Sequence, residues 1–186
     1  MEKLTLNDFL KLDKKDLQNK IICFPTDTVY DVGALFNDKV AIRKIYEMKK
    51  RDFSKPLANL CAGLYQIQEL GITVPEFAKE LMEKYWPGPL TIIIKHNEEK
   101  ISFRMPNSEI ALKILEKFGP MATTSVNESG EKELNSFAEI NEQFGAYIDY
   151  FILDQAQLSK IPSTVIDVSE GRIKVLREGA IKFFEN

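Results

Sequence analysis

The sequence predicts an α/β fold, a single domain over residues 1–186 built on a twisted sheet of mixed strand direction with helices packed against it. Three observations carry that prediction. Segments with apolar residues at helical spacing alternate along the chain with short β-branched runs. No internal repeat, low-complexity tract or linker interrupts the alternation. At 186 residues and 44% hydrophobic, the chain can bury a sizeable core of its own.

Taken in order, residues Thr5 to Asn19 carry Leu6, Phe9, Leu10 and Leu17 at near-helical spacing, with Thr5 or Asn7 as the cap, and feed a strand from Lys20 to Phe24. Pro25 cannot donate to a ladder and ends that strand, so Thr26, Asp27, Thr28 and Tyr30 read as polar side chains delivered to a surface. Asn37 is expected to cap a helix whose Val40, Ile45 and Met48 share a face. That helix runs out at Lys49, Lys50 and Arg51, cations that suit the negative end of the helix dipole. Pro56 to Cys61 reads as a short strand, and Val74, Phe77, Leu81 and Tyr85 as the stripe of a helix with Pro75 near its first turn. Trp86-Pro87-Gly88-Pro89 makes a rigid corner before the strand LTIIIK, Leu90 to Lys95, and a further strand spans Ile101 to Arg104. Ser108 caps a helix whose Ile110, Ala111, Ile114, Leu115 and Phe118 form a core stripe ended by Gly119-Pro120. The segment MATTSVNESG then ends a strand in hydroxyls and amides. A helix from Phe137 to Phe144 and strands at Tyr147–Leu153, Pro162–Asp167 and Ile173–Arg177 complete the chain.

Composition removes several function classes. A net charge of -3 argues against a protein that coats nucleic acid, although a local basic cleft survives that average. Cys23 and Cys61 lack CxxC spacing and sit in apolar surroundings, which predicts buried reduced thiols and a reducing compartment. The amino terminus is charged from its second residue and no apolar run approaches the roughly 20 residues that span a bilayer, so a cytoplasmic location with no membrane partner is expected. The single histidine, His96, stands among charged residues as a solvated loop position, which leaves neither an HExxH site nor a multi-histidine cluster. Neither GxxxxGK[ST] nor GxGxxG occurs.

What remains is three strand ends rich in hydroxyls, around Thr26–Tyr30, Thr123–Ser129 and Ser163–Thr164, together with the cations Lys49, Arg51, Arg104 and Arg177. Hydroxyls and backbone N–H groups can ring phosphate oxygens, arginine offers a bidentate fork and lysine a compact charge, so the set suits a nucleoside triphosphate. Each piece also has an ordinary reading, as a strand-to-loop exit for FPTDTVYDVGAL and as a solvated helix end for Lys49–Arg51.

Several separated motifs together resemble the YrdC domain family of threonylcarbamoyl-adenylate synthases over nearly the whole chain. FPTDTVY resembles the family's PT[ED]TVYGLG, IYEMKKRDFSKPL its Lys-x-Arg-Pro motif followed by Pro-Leu, and FRMP its Arg-x-Pro. WPGPLT matches a common family form, TSVNESG resembles TSAN-x-SG, and PSTVID and LREGA complete the series in order. The resemblance implies a YrdC-like α/β domain of the short bacterial type, with a concave basic cavity on one side of a mixed parallel and antiparallel sheet. It implies synthesis of threonylcarbamoyl-AMP and pyrophosphate from L-threonine, bicarbonate and ATP. The product would pass to a threonylcarbamoyl-transferase complex that modifies tRNA. Mg2+ is expected to arrive with the ATP, and no protein metal ligand is assigned.

Carried over position by position, the resemblance makes Lys49 and Arg51 catalytic. Lys49, Arg51, Ser125, Asn127 and Arg177 would hold the nucleotide, and Thr26, Thr28, Tyr30, Arg104, Thr124 and Ser163 would line the threonine and carbamate end. The chain departs from the family pattern where Asp31 replaces a glycine, where Lys50 and Asp52 alter Lys-Gly-Arg-Pro, and where Val126 replaces alanine. Asp31 and the segment LANLCAGL raise a second reading, a YciO-like paralogue with a different or weaker nucleotide-dependent activity. A third is an RNA-binding module using a basic face, which the overall acidity disfavours; any direct tRNA contact is expected to be weak.

Overall fold

The computed structural model describes residues 1–183. In chain order the elements are β1 (Glu2–Leu4), α1 (Leu6–Phe9), β2 (Ile22–Pro25), β3 (Tyr30–Leu35), α2 (Lys39–Lys49), β4 (Ala58–Leu60), α3 (Leu64–Glu69) and α4 (Glu76–Tyr85). The second half holds β5 (Leu90–His96), β6 (Glu99–Arg104), α5 (Glu109–Phe118), β7 (Met121–Ser125), α6 (Phe137–Phe144), β8 (Tyr150–Ile152), β9 (Thr164–Asp167) and β10 (Lys174–Arg177). All ten strands join one sheet in the order β1-β8-β2-β3-β7-β4-β6-β5-β9-β10. The pairs β1/β8, β2/β8, β4/β6 and β5/β9 are parallel and the others antiparallel, which is the mixed sheet that the alternation predicts.

The two faces of the sheet follow from the period of two along each strand. On one face Cys23, Val32, Ala34 and Ala122 meet Ala41, Ile45 and Met48 of α2 and Ile140 and Phe144 of α6. Further along the sheet, Leu90, Ile92, Ile94, Phe103 and Ile166 pack on Ile67 of α3 and on Ala78, Leu81 and Met82 of α4. The alternate positions Ile22, Phe24, Leu35 and Met121 face the other way, against Leu6 and Phe9 of α1 and the predicted stripe of α5. Toward β6, β5 and β9 that second face carries no helix, and the alternate residues Ser102, Arg104, Thr91, Ile93 and Val165 line an open cavity.

Several boundaries differ from the sequence reading, each for a local reason. The single helix expected over Thr5–Asn19 is instead the short α1, capped by Thr5, and a separate 3-10 turn at Lys14–Leu17. The Asp16 carboxylate accepts the Asp13 backbone N–H at 2.8 Å and so starts that second turn. Helix α2 is capped by Asp38, not Asn37: the Asp38 side chain accepts the Ala41 N–H at 2.9 Å. Its buried face is Ala41, Ile45 and Met48, while Val40 points to solvent. β1 and α3 have no counterpart in the sequence reading, being only 3 and 6 residues long. His96 closes β5 and pairs with Glu99, ahead of a two-residue turn in which Asn97 and Glu98 take φ of 47° and 66°. Positive φ at both central residues is the geometry that matches strand twist in a tight hairpin.

FPTDTVYDVGAL is also not a strand emptying onto a surface. β2 and β3 are an antiparallel pair with Pro25 opposite Tyr30, so Thr26 to Val29 form the connecting turn. Thr26 and Thr28 are buried there. The Thr26 hydroxyl donates to the Val29 carbonyl at 2.8 Å and accepts the Thr28 N–H at 3.2 Å, replacing ladder bonds that Pro25 cannot make.

Candidate active site

The cavity encloses about 420 Å3. Its floor is the open sheet face and its walls are the hairpin turn, the end of α2, the segment after β7 and the junction of β9 with β10. Lys49 is its one helical lining residue among those described. Arg51, Arg104 and Arg177 also line it, as do the carboxylates Asp31, Glu131 and Glu133.

Lys49 ends α2 and is 1% exposed, so its ammonium can be satisfied only by groups brought to it. Nζ donates to Asn127 Oδ1 at 2.8 Å and to the Ser125 carbonyl. Asn127 is itself held from three sides: its Oδ1 accepts the Ser125 hydroxyl at 2.8 Å, and its Nδ2 donates to the Glu128 and Glu131 carbonyls at 2.9 and 2.7 Å. Lys50 then takes a left-handed conformation, φ 50°, which turns the chain out of the helix toward Arg51. Arg51 is clamped by its own loop, Nε on the Lys55 carbonyl at 2.9 Å and a terminal nitrogen on the Pro56 carbonyl at 3.1 Å.

Arg104 lies at the end of β6 and is 4% exposed. Its Nε donates to the Gly88 carbonyl at 3.2 Å, one terminal nitrogen donates to the Thr28 hydroxyl at 3.0 Å, and the other pairs with Asp27. The WPGPLT corner thus presents a carbonyl, and the PTDT turn a hydroxyl and a carboxylate, to one guanidinium. At the far wall Arg177 donates to the Ser163 hydroxyl and carbonyl, both at 3.0 Å, and Ser163 shares a 2.8 Å hydrogen bond with Thr91. A lysine carries three donors and an arginine five, so each of the four cations keeps at least one N–H beyond its protein partners. Held cations with donors to spare suit an incoming anion.

Burial and mutual repulsion shape the charges. Burial pushes the Lys49 ammonium down to about 8, Arg51 adds to the effect, and Asp31 and Glu133 oppose it. Burial raises the Asp31 carboxyl to about 6 against the pull of Arg104 and Lys49. Cys23 and Cys61 are free and buried, as predicted, with burial raising both thiols.

Of the residues singled out from sequence, Lys49, Arg51, Ser125, Asn127, Arg177, Thr28, Arg104, Thr124 and Ser163 all line the one cavity. Thr26 and Tyr30 do not. The Thr26 hydroxyl is used inside the turn, and Tyr30 packs on Phe151 with ring centroids 5.7 Å apart in the core behind the sheet. Thr91 and Ser102 line the floor without having been singled out, beside Thr123 of the hydroxyl-rich strand end Thr123–Ser129. Their signal was the alternation of small polar with apolar residues in LTIIIK, ISFR and MATTS, which marks a polar floor only once the strand neighbours are known.

Fold and cavity together define an α/β protein with a cleft lined by four cations on the uncovered part of its sheet. Residues 17–179 match the family model Sua5/YciO/YrdC, described as "Telomere recombination", and the chain belongs to that family. It is 34% identical over 179 residues to a threonylcarbamoyl-AMP synthase of Pyrococcus abyssi, covering 90% of this chain and 53% of the relative. A putative threonylcarbamoyl-AMP synthase of Methanocaldococcus jannaschii is 33% identical, with 97% and 88% covered. This chain therefore spans about half the length of the Pyrococcus relative and most of the Methanocaldococcus one. Among solved structures, P. abyssi Sua5 complexed with L-threonine superposes with a TM-score of 0.80 at 32% identity, over 94% of this chain and 54% of that one. E. coli YciO superposes equally well, TM-score 0.80 at 26% identity, over 94% and 89%. Among the described residues no helix is long and apolar enough to cross a membrane.

Proposed function

We propose that this chain is an L-threonylcarbamoyladenylate synthase, a nucleotidyltransferase that makes threonylcarbamoyl-AMP and pyrophosphate from L-threonine, bicarbonate and ATP. The observation that carries the reading is the convergence of Lys49, Arg51, Arg104 and Arg177 on one cavity, with Ser125 and Asn127 fixing the lysine. The relatives named as threonylcarbamoyl-AMP synthases support it. Lys49, Arg51 and Arg177 hold the triphosphate beside Ser125 and Asn127, and Thr28, Arg104, Thr124 and Ser163 hold the threonine end.

The chemistry needs little proton transfer by the protein. Once the neutral amine of threonine has condensed with bicarbonate and a water molecule has left, the carbamate is an anionic nucleophile, and its attack on the α-phosphorus releases pyrophosphate. The protein's part is then to place two anions in contact and to stabilise the charge gathering on the phosphate, work suited to fixed N–H donors. Mg2+ would arrive on the ATP phosphates, with phosphate oxygens and water as its ligands. The product would go to a threonylcarbamoyl-transferase complex acting on tRNA, with any direct tRNA contact weak, and the chemistry belongs in the cytoplasm.

The test is pyrophosphate release from ATP by the purified chain with threonine, bicarbonate and ATP each omitted in turn. Dependence on all three is expected, and release independent of threonine rejects the reading. That result would favour a YciO-like activity, the second reading, for which Asp31 and the superposition on E. coli YciO speak.

A further inference from the structure

Asp31 is a buried carboxylate of the cavity whose chemistry the proposed reaction leaves unused. It lies on β3, opposite Ser125 of β7 and Phe24 of β2, and is 6% exposed. Among the described residues burial and the charges of Arg104, Lys49, Asp27 and Arg177 act on its carboxylate, and no hydrogen bond does. The only sealed side-chain polar atom without a partner among those residues is Ser169 Oγ, so the Asp31 oxygens open onto the cavity that the residue lines. A buried carboxylate without a protein partner is costly, and here it sits in a site built from cations.

We propose that Asp31 is a specificity-determining residue that receives the α-ammonium group of the amino-acid substrate. The inference rests on the synthase reading for the identity of that amino acid. An α-amino acid is a zwitterion, and a cavity lined by cations alone would hold its carboxylate and repel its nitrogen. Asp31 supplies the missing complement. The groups acting on it are Arg104 from β6, Lys49 from α2, Arg177 from β10, Asp27 from the hairpin turn and the Cys23 thiol from β2. Three of them are cations, which would repel a divalent metal ion more strongly than a single ammonium. Glu131 and Glu133 line the cavity too, but nearer solvent, where water screens them.

Isothermal titration of the wild-type chain and of Asp31→Asn and Asp31→Gly with L-threonine tests the assignment. β-Hydroxybutyrate, which lacks the nitrogen, serves as the second probe and other L-amino acids as a panel. Threonine should bind wild type about tenfold or more tighter than either variant, and β-hydroxybutyrate should bind the variants at least as well as wild type. Wild-type affinity for threonine should fall as pH drops through about 6, where the carboxylate is lost, and the variants should not follow. Equal threonine binding by wild type and variants overturns the assignment and leaves the synthase reading standing. A carboxylate that only neutralises the cations would make the variants bind both probes more tightly, which also overturns it. If wild type takes another amino acid but not threonine, and loses it in Asp31→Asn, the ammonium assignment stands and the synthase reading falls. No binding of any amino acid ends both.

Discussion

Lys49 shows how a single side chain ties sequence to chemistry. It ends a helix, where a solvated cation would be the ordinary expectation, yet it is buried and its ammonium is held near 8. The folded-state value lies below the unfolded 10.5, so the folded chain binds fewer protons between about 8 and 10.5 and gains stability as pH rises through that window. Below about 8 the buried charge is a standing cost. Lys49→Met removes the charge and keeps the bulk. It should lower threonine-dependent pyrophosphate release on the order of 10²–10³-fold while the melting temperature holds or rises. In wild type, kcat/KM for ATP should fall as pH passes about 8, because the free enzyme loses the cation that meets the phosphates. Asp31 makes the mirror case. Its carboxyl is raised from 3.8 to about 6, so the folded chain holds the proton more tightly and stability falls as pH rises between those values. The cost above about pH 6 is on the order of 2–3 kcal/mol. Asp31→Asn should therefore melt several degrees higher than wild type near pH 7, and the gain should vanish below about pH 4. A variant that melts lower at neutral pH would contradict the buried-charge account.

Among elements, the junction of β9 and β10 carries the tightest constraint. Gly179 follows β10, and a Cβ there would run into the backbone of Pro162, Ser163 and Thr164. The same contact brings the Thr164 hydroxyl onto the Ile181 carbonyl at 2.6 Å and Arg177 onto Ser163. PSTVID and LREGA, read as separate motifs, are thus two sides of one backbone-to-backbone seam that fixes a wall of the cavity. Gly179→Ala should weaken ATP binding at least tenfold and lower the melting temperature, measured by titration and calorimetry on one preparation. Helix α5 is a plainer case. Ser108 caps it through the Ala111 N–H and also donates to the Pro25 carbonyl at 3.3 Å, so the cap joins the helix to the PTDT turn. Ser108→Ala should cost about 1 kcal/mol, read as a shift in the denaturation midpoint with an unchanged m-value. Such elements were legible where cap and stripe agree, as in α5. They were not where neighbouring side chains choose between adjacent candidates, as with Asn37 and Asp38 at the start of α2: Asp38 alone reaches both the Ala41 N–H and the Asn19 N–H.

At the scale of the molecule, the cavity exists because part of one sheet face is left uncovered. Helices cover the whole of the face behind β2, β3, β7, β5 and β6, while α1 and α5 cover only part of the other. An anion seated on the bare part would join walls drawn from the hairpin turn, α2, the segment after β7 and the β9–β10 junction. ATP at a hundred times Kd should therefore stabilise the whole chain by about 2.7 kcal/mol, read as a rise in the temperature of one cooperative melting transition. The sequence by itself determined the α/β class, most of the elements and the buried thiols, because periodicity and caps are local signals, and nine of the eleven residues that its motifs singled out line one cavity. Only the tertiary structure decided the strand order, the removal of Thr26 and Tyr30 from the cavity, and the pairing of Arg104 with Asp27. Which face a side chain takes, and which strand lies beside it, depend on contacts between residues distant in the chain, and one residue's shift in register moves a hydroxyl from the cavity to the core.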